Sequence, residues 1–105
     1  MTMRILVRGS NDIGSAVAHA LFRAGYAVVV HDNPQPTTTR RKMAFTDAIF
    51  DGSVVLVGVE SRRVKELFLL LGQLMMHTFI PVVVTKLPVL LEALNPHILV
   101  DAQGG

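Results

Sequence analysis

The chain has 105 residues, of which half are hydrophobic and 17% are charged, with a formal net charge of +2. This length fits one domain with a single core. Ten basic residues against eight acidic ones give no broad cationic face, so we expect no nucleic-acid partner. The sequence contains no cysteine, which excludes disulfides, thiolate metal ligands and a cysteine nucleophile within these residues and fits a reducing compartment.

The apolar stretches favour a chain outside the membrane. The amino-terminal residues run straight into an apolar strand, without the separate segments of a secretory signal. The longest apolar stretch, residues 67–84, is interrupted by residues that a membrane span would have to bury in lipid, namely Gly72, Gln73, His77, Thr78 and Pro81. We therefore predict a cytoplasmic chain with no membrane partner.

Strands and helices alternate along the sequence. Apolar, β-rich runs predict strands over 5–7, 27–30, 54–59, 81–84 and 98–100. Helical spacing predicts helices over 13–24, 41–50, 62–76 and 88–94, the third with a core face of Val64, Leu67, Phe68, Leu71, Leu74 and Met75. We predict one Rossmann-like, three-layer α/β domain over residues 1–105, with a mostly parallel five-stranded sheet in the order 3-2-1-4-5. The short segment after the last strand makes us expect a longer parent chain.

A glycine loop follows the first strand and opens the first helix. Gly9-Ser10-Asn11-Asp12-Ile13-Gly14 approximates the G-x-G-x-x-G pattern, in which backbone N–H groups at a helix N-terminus bind phosphate. Asn11 replaces the middle glycine, which weakens a dinucleotide interpretation because that glycine lets the pyrophosphate approach closely. All six are candidate cofactor-binding residues, and the alternative is a glycine turn that only packs the helix on the sheet.

Further candidates follow the other strands. Asp32 ends the second strand, where a carboxylate holds a ribose diol and favours NAD over NADP. Arg40 and Arg41 favour NADP or another phosphorylated ligand instead, because a guanidinium binds phosphate. Equally, they could be the solvated start of a helix. The residues after strands three, four and five should converge on the same sheet edge, and they are Glu60, Ser61, Thr85, Lys86 and Asp101. Taken singly, Glu60 or Asp101 is more often a loop cap than a ligand contact.

Catalytic residues are not recognisable in the sequence. The single tyrosine, Tyr26, starts the second strand, away from the candidate edge, and no G-x-S-x-G elbow occurs. The histidines, His19, His31, His77 and His97, show no metal-ligand spacing, so we interpret them as surface or turn residues and predict no protein-held metal. Catalysis by this chain alone is not expected.

One feature concerns association with a partner. Leu69 and Met76 lie seven residues apart on the third predicted helix, roughly opposite its core face. Exposed there, they would pack in a homodimer or under further chain; the alternative is scattered surface hydrophobes.

Several stretches resemble one protein family. They are RGSNDI (8–13), VAH (17–19), LFRAGY (21–26), PQPT (34–37), RRKMAF (40–45), DG (51–52), GVE (58–60), IPV (80–82) and LVDA (99–102). Together they resemble the selenium-dependent molybdenum hydroxylase maturation proteins, relatives of the xanthine dehydrogenase accessory (XdhC/CoxI-like) family. The chain departs from the expected pattern at Asn11 and Ala16, where we expect glycine.

The resemblance implies a Rossmann domain of a longer protein that helps to mature molybdenum hydroxylases, with such a hydroxylase as partner. Its ligand would be a molybdenum-pterin nucleotide, whose phosphates suit the Gly9 loop as well as those of NAD(P). A rival interpretation is the cofactor domain of an NAD(P)-dependent oxidoreductase whose catalytic residues lie elsewhere. A third is a scaffold that kept the fold and lost the ligand.

Overall fold

A computed structural model of the chain describes residues 3–33, 45 and 47–102. In this part of the chain six strands form one sheet, and they are β1 (Arg4–Arg8), β2 (Ala27–His31), β3 (Ser53–Leu56), β4 (Val59–Arg63), β5 (Ile80–Val83) and β6 (Ile98–Asp101). Their order is β3-β4-β5-β2-β1-β6, and every neighbouring pair is parallel except the antiparallel pair β3–β4. The predicted Rossmann-like α/β class with a mostly parallel sheet is therefore confirmed.

Helices cover both faces of this sheet. They are α1 (Asp12–Arg23), α2 (Asp47–Asp51), α3 (Leu70–Met76) and α4 (Leu87–Leu94), with one 3-10 turn (Leu67–Leu69) directly before α3. Alternate strand residues point to opposite faces, so Val7 packs with α1 and α2 while Leu6 packs with α3 and α4. None of the described helices is long and apolar enough to cross a membrane.

The predicted strand order is wrong in two places. The strand after α4 lies beside β1, and the predicted fourth strand (β5) lies beside β2. The connection from β5 through α4 therefore crosses over β2 and β1 before β6 begins. Apolar runs show that a strand is buried but carry no information on its neighbours, which is why the pattern did not distinguish these orders. As a consequence Asp101 adjoins the Gly9 loop, and Lys86 does not.

The predicted third strand is in fact a hairpin, which raises the strand number from five to six. Val57 and Gly58 turn the chain at φ values of 47° and 77°, and β3 and β4 pair on either side of them. Turns of this kind usually carry Asn-Gly or Asp-Gly, because a β-branched residue is strained at positive φ. A valine at this position hides the hairpin from sequence-based prediction. β4 then continues to Arg63, so the predicted helix start at Arg62 is wrong as well.

This later start changes the buried face of α3. Leu70 and Leu74 are buried, whereas Phe68, Leu71 and Met75 of the predicted core face are exposed. The side chains at 70 and 74 lie one helical turn apart and face the sheet, which turns positions 68, 71 and 75 to solvent. Of the helix predicted over residues 41–50, α2 confirms the end, and residues 41–44 and 46 lie outside the described residues.

The hairpin generates a stability prediction. Val57→Asn should raise the free energy of unfolding by about 1 kcal/mol, since asparagine tolerates positive φ and the Val57 side chain, 82% exposed, loses little burial. The measurement is urea denaturation followed by circular dichroism. Val55→Asn is the matched control: Val55 is also exposed but lies within β3, where asparagine should be neutral or destabilising. Equal stabilisation by both changes would contradict the strained turn.

Candidate functional site at the carboxyl edge of the sheet

The Gly9 loop (residues 9–14) joins β1 to α1 and is tied to both neighbouring strands. Gly9 adopts a φ of 114° and donates its N–H to the carbonyl oxygen of His31, at 2.7 Å. Asn11 is the N-cap of α1: its Oδ1 accepts the Gly14 N–H at 2.8 Å, and its Nδ2 donates to the carbonyl oxygen of Ala102 at 3.0 Å. Asn11 therefore connects the start of α1 to the residue that follows β6.

Gly14 is required by the close approach of the loop to the helix. A Cβ atom at this position would lie 1.9 Å from the carbonyl oxygen of Gly9, a backbone atom that cannot move aside alone. Both glycines of the motif are therefore explained by the structure: Gly9 permits the turn, and Gly14 permits the close packing of the helix. Asn11 occupies the position of the middle glycine of the pattern, and its side chain caps α1.

Asp32 fixes the loop from the side of β2. Its side chain is buried, and Oδ2 accepts both the Ser10 N–H at 2.8 Å and the Ser10 Oγ hydroxyl at 2.7 Å, while Oδ1 accepts the Asn33 N–H at 2.7 Å. The position at the end of β2 is the predicted one. The carboxylate binds the loop itself, and Oδ1, with one hydrogen bond in the described part of the chain, is the oxygen with remaining capacity to accept one.

Two backbone donors of the loop have no acceptor in the described part of the chain. They are the N–H groups of Asn11 and Ile13, at the start of the twelve-residue helix α1. The first-turn N–H groups of a helix carry its positive partial charge and are the usual donors to phosphate. Asp12 lies between them in the first turn, where its carboxylate stabilises the helix. The loop therefore offers directed donors to an anion next to an existing negative charge.

Two further predicted residues lie at the same edge. Asp101 ends β6 beside Arg8 at the end of β1, with Arg8 Nη1 and Asp101 Oδ2 3.8 Å apart. Lys86 is exposed and caps α4 just after β5 and Thr85. Since β2 separates β5 from β1, Lys86 is more distant from the Gly9 loop than Asp101 is. Arg40 and Arg41 lie outside the described residues.

The predicted placement of Glu60 is wrong. Glu60 and Ser61 lie near the start of β4, where Ser61 pairs with Ile80, the first residue of β5. They are therefore at the amino edge of the sheet, opposite the Gly9 loop, because the hairpin reverses the chain before them. Glu60 accepts hydrogen bonds from Arg62 Nε and Nη2, and this hydrogen bonding, followed by the charge attraction, raises the pKa of the Arg62 guanidinium.

Sequence reasoning missed two polar side chains at the site. Ser15 is buried beneath the loop, where its Oγ donates to the carbonyl oxygen of Ser10 and accepts the Phe45 N–H. His31, interpreted as a surface or turn residue, is a buried strand residue whose Nε2 lies 2.6 Å from the carbonyl oxygen of Thr85. The unbroken apolar run before His31 was the available signal. Across the described ranges no three His, Asp or Glu side chains are grouped to hold a metal ion.

One curated protein is similar to this chain over most of its length. The chain is 37% identical over 98 residues, or 93% of its length, to the protein named Uncharacterized protein YqeB of Escherichia coli (strain K12). It spans 18% of the length of that curated relative. No family model matches the chain, and no solved structure matches it significantly.

The hydrogen bonds of Asp32 generate a prediction about the loop. Asp32→Ala should lower the free energy of unfolding by about 1–3 kcal/mol, because it removes the carboxylate that accepts two buried hydrogen bonds from Ser10. Glu92→Ala, on the exposed face of α4, is the matched loss of a carboxylate and should change stability by less than about 0.5 kcal/mol. Chemical denaturation of both variants measures the difference. Equal, small effects would show that Asp32 does not hold the loop.

Proposed function

We propose that this chain is the Rossmann-like domain of a maturation factor for molybdenum hydroxylases and binds a phosphate-bearing nucleotide or pterin cofactor at the carboxyl edge of the sheet. The observation that carries the proposal is the pair of backbone N–H groups, of Asn11 and Ile13, at the start of α1. They lie at the carboxyl ends of the neighbouring parallel strands β1 and β6. Ligands of open α/β sheets bind outside the carboxyl ends of the strands.

The maturation role is supported by sequence resemblance. Stretches that resemble the molybdenum hydroxylase maturation proteins include RGSNDI at the Gly9 loop and LVDA at the end of β6. These two stretches meet in the fold, since Asn11 binds the carbonyl oxygen of Ala102. These two of the resembling stretches therefore lie where the ligand would bind, as expected if they reflect a shared ligand.

The proposed contribution of this chain is binding and orientation. The loop is held by internal hydrogen bonds, with Asp32 and Ser15 binding Ser10 from two sides. Donors fixed in advance bind a phosphate without a further ordering cost. We assign the chemistry of cofactor modification or insertion to the rest of a longer protein or to the hydroxylase. We place the process in the cytoplasm, where a cysteine-free domain needs no disulfide.

The second candidate is the cofactor domain of an NAD(P)-dependent oxidoreductase. The position of Asp32 at the end of β2 favours it, because a carboxylate there binds the ribose hydroxyls of NAD. With Oδ2 engaged by Ser10, the ribose would have to bind Oδ1, which already accepts the Asn33 N–H. The two candidates differ in the nucleotide that they require.

A ligand panel separates the candidates. Thermal unfolding is measured with NAD, NADP, and cytidine and guanosine nucleotides of the kind carried by pterin cofactors, each at about a hundred times its dissociation constant, where bound ligand adds roughly 2.7 kcal/mol. We expect stabilisation by a cytidine or guanosine nucleotide. Stabilisation by NAD or NADP alone would support the oxidoreductase domain instead, and no shift with any of them would contradict phosphate binding by this chain.

Two loop variants test where the phosphate binds. Ile13→Asp adds negative charge to the first turn and should weaken binding about fivefold while leaving the fold as stable or more so, since acidic residues favour this turn. Asn11→Gly removes the capping side chain and frees the Gly14 N–H, so affinity should rise at a small cost in stability. Calorimetric titration measures both affinities. Unchanged affinity in both variants would place the phosphate elsewhere.

A further inference from the structure

An apolar stripe runs along the outer side of α3 and the turn before it. Phe68, Leu71 and Met75 are 81%, 46% and 87% exposed and stand at i, i+3 and i+7, so they share one side of the helix. Leu69 and Met76 flank this stripe and are exposed as well. We call these five residues, together with Gly72, the α3 face. Because Leu70 and Leu74 already fill the core below, burying the α3 face requires something outside the described domain.

Gly72 lies at the centre of the α3 face and has no explanation within the described fold. A Cβ atom there would meet nothing within 4 Å. Glycine inside a helix is less favourable than alanine, so an exposed glycine with open space around it weakens α3 without an internal benefit. A glycine does have a benefit where a second helix crosses closely, since the distance between two helix axes depends on the side chains at the contact.

The absence of charge on the α3 face favours a second copy of the same face as its partner. Residues 67–77 contain no Asp, Glu, Lys or Arg, so the α3 face itself brings no charged side chain into an interface. Met75 and Met76 have flexible, unbranched side chains that adapt to an irregular neighbouring surface. A two-fold dimer places the same patch on both sides of its interface, and an uncharged, adaptable patch is complementary to itself.

The size of the α3 face also suits a dimer. From their exposed fractions, the five apolar side chains present about 600 Å², at the upper limit of the largest apolar patch on a typical monomer. Pairing two such faces would bury at most about 1,200 Å² in total, the lower end of specific interfaces. A groove of about 470 Å³ adjoins the face and is lined by Arg4, Ala27, Leu71, Met75 and His77 among others. An aromatic side chain such as Phe68 of a second copy can enter this groove.

We propose that this chain forms a two-fold homodimer through the α3 face, with the two α3 helices crossing at Gly72. The inference is independent of the proposed function. Since α1 packs on the opposite face of the sheet, the dimer leaves both Gly9 loops on its outer sides, open to ligand.

The oligomeric state of the 105-residue chain tests the proposal. In sedimentation velocity from about 1 to 200 µM, a range that brackets the affinity of small interfaces, we expect a dimer of about 23 kDa, twice the 11.5 kDa of one chain. Met75→Glu should give monomers over this range with an unchanged circular dichroism spectrum. Val57→Glu is the matched control, because Val57 is equally exposed but lies on the β3–β4 hairpin, and it should remain dimeric.

Gly72→Ala separates the dimer contact from helix stability. Alanine favours the helix, so at low concentration the variant should unfold a few degrees higher than the original chain. The added methyl group on each chain should nevertheless weaken dimerisation about tenfold, because it separates the crossing helices. A chain that is monomeric up to the highest concentration, or a Met75→Glu variant that still dimerises, would overturn the proposal. Either result would indicate that the α3 face packs against another segment of a longer chain or against another protein.

Discussion

The buried Asp32 carboxylate holds the carboxyl edge of this sheet together. Through one oxygen it binds both the backbone and the hydroxyl of Ser10, and so joins the end of β2 to the loop that follows β1. A buried carboxylate must be hydrogen-bonded to offset its lost hydration, and the loop supplies those bonds in the conformation that starts α1. The direction of α1, and with it the N–H groups offered to a ligand, depends on this contact. Asp32 is thus a structural residue of the loop.

Much of the fold and part of the site could be predicted from the sequence. Unbroken apolar runs at β1, β2 and β5 imply strands buried on both faces, and the Gly9 loop and Asp32 follow those strands at the expected places. The carboxyl ends of parallel strands share one edge whichever strands are neighbours. The predicted placement of Asp32, Lys86 and Asp101 at this edge is therefore correct, although the predicted strand order is wrong.

The errors have one local origin and one global origin. Val57 turns the chain at positive φ against its own preference, so the hairpin carries no recognisable signal, and the misplacement of Glu60 and the late start of α3 both follow from it. Strand order depends on which faces pack after the strands have formed, and single-residue patterns do not encode it. The α3 face illustrates the local origin. The spacing of its residues is helical, but which side of the helix is buried depends on where β4 ends, at Arg63.

The candidate site and the exposed apolar surface belong to helices on opposite faces of the sheet. The face under α1 and α2 carries the Gly9 loop, and the face under α3 and α4 carries the exposed apolar surface. If both proposals hold, the ligand and the second copy of the chain would bind on different sides of the domain, without competition between them.

The most direct test of phosphate binding by the Gly9 loop is a backbone amide NMR titration. On addition of cytidine or guanosine diphosphate, we expect the largest shifts at the amides of Asn11 and Ile13, with smaller ones at Asp32 and Ala102. The amides of β4 near Glu60, at the opposite edge, should remain unchanged. Shifts centred on β4 or α3, or no shifts at saturating nucleotide, would contradict phosphate binding by this loop.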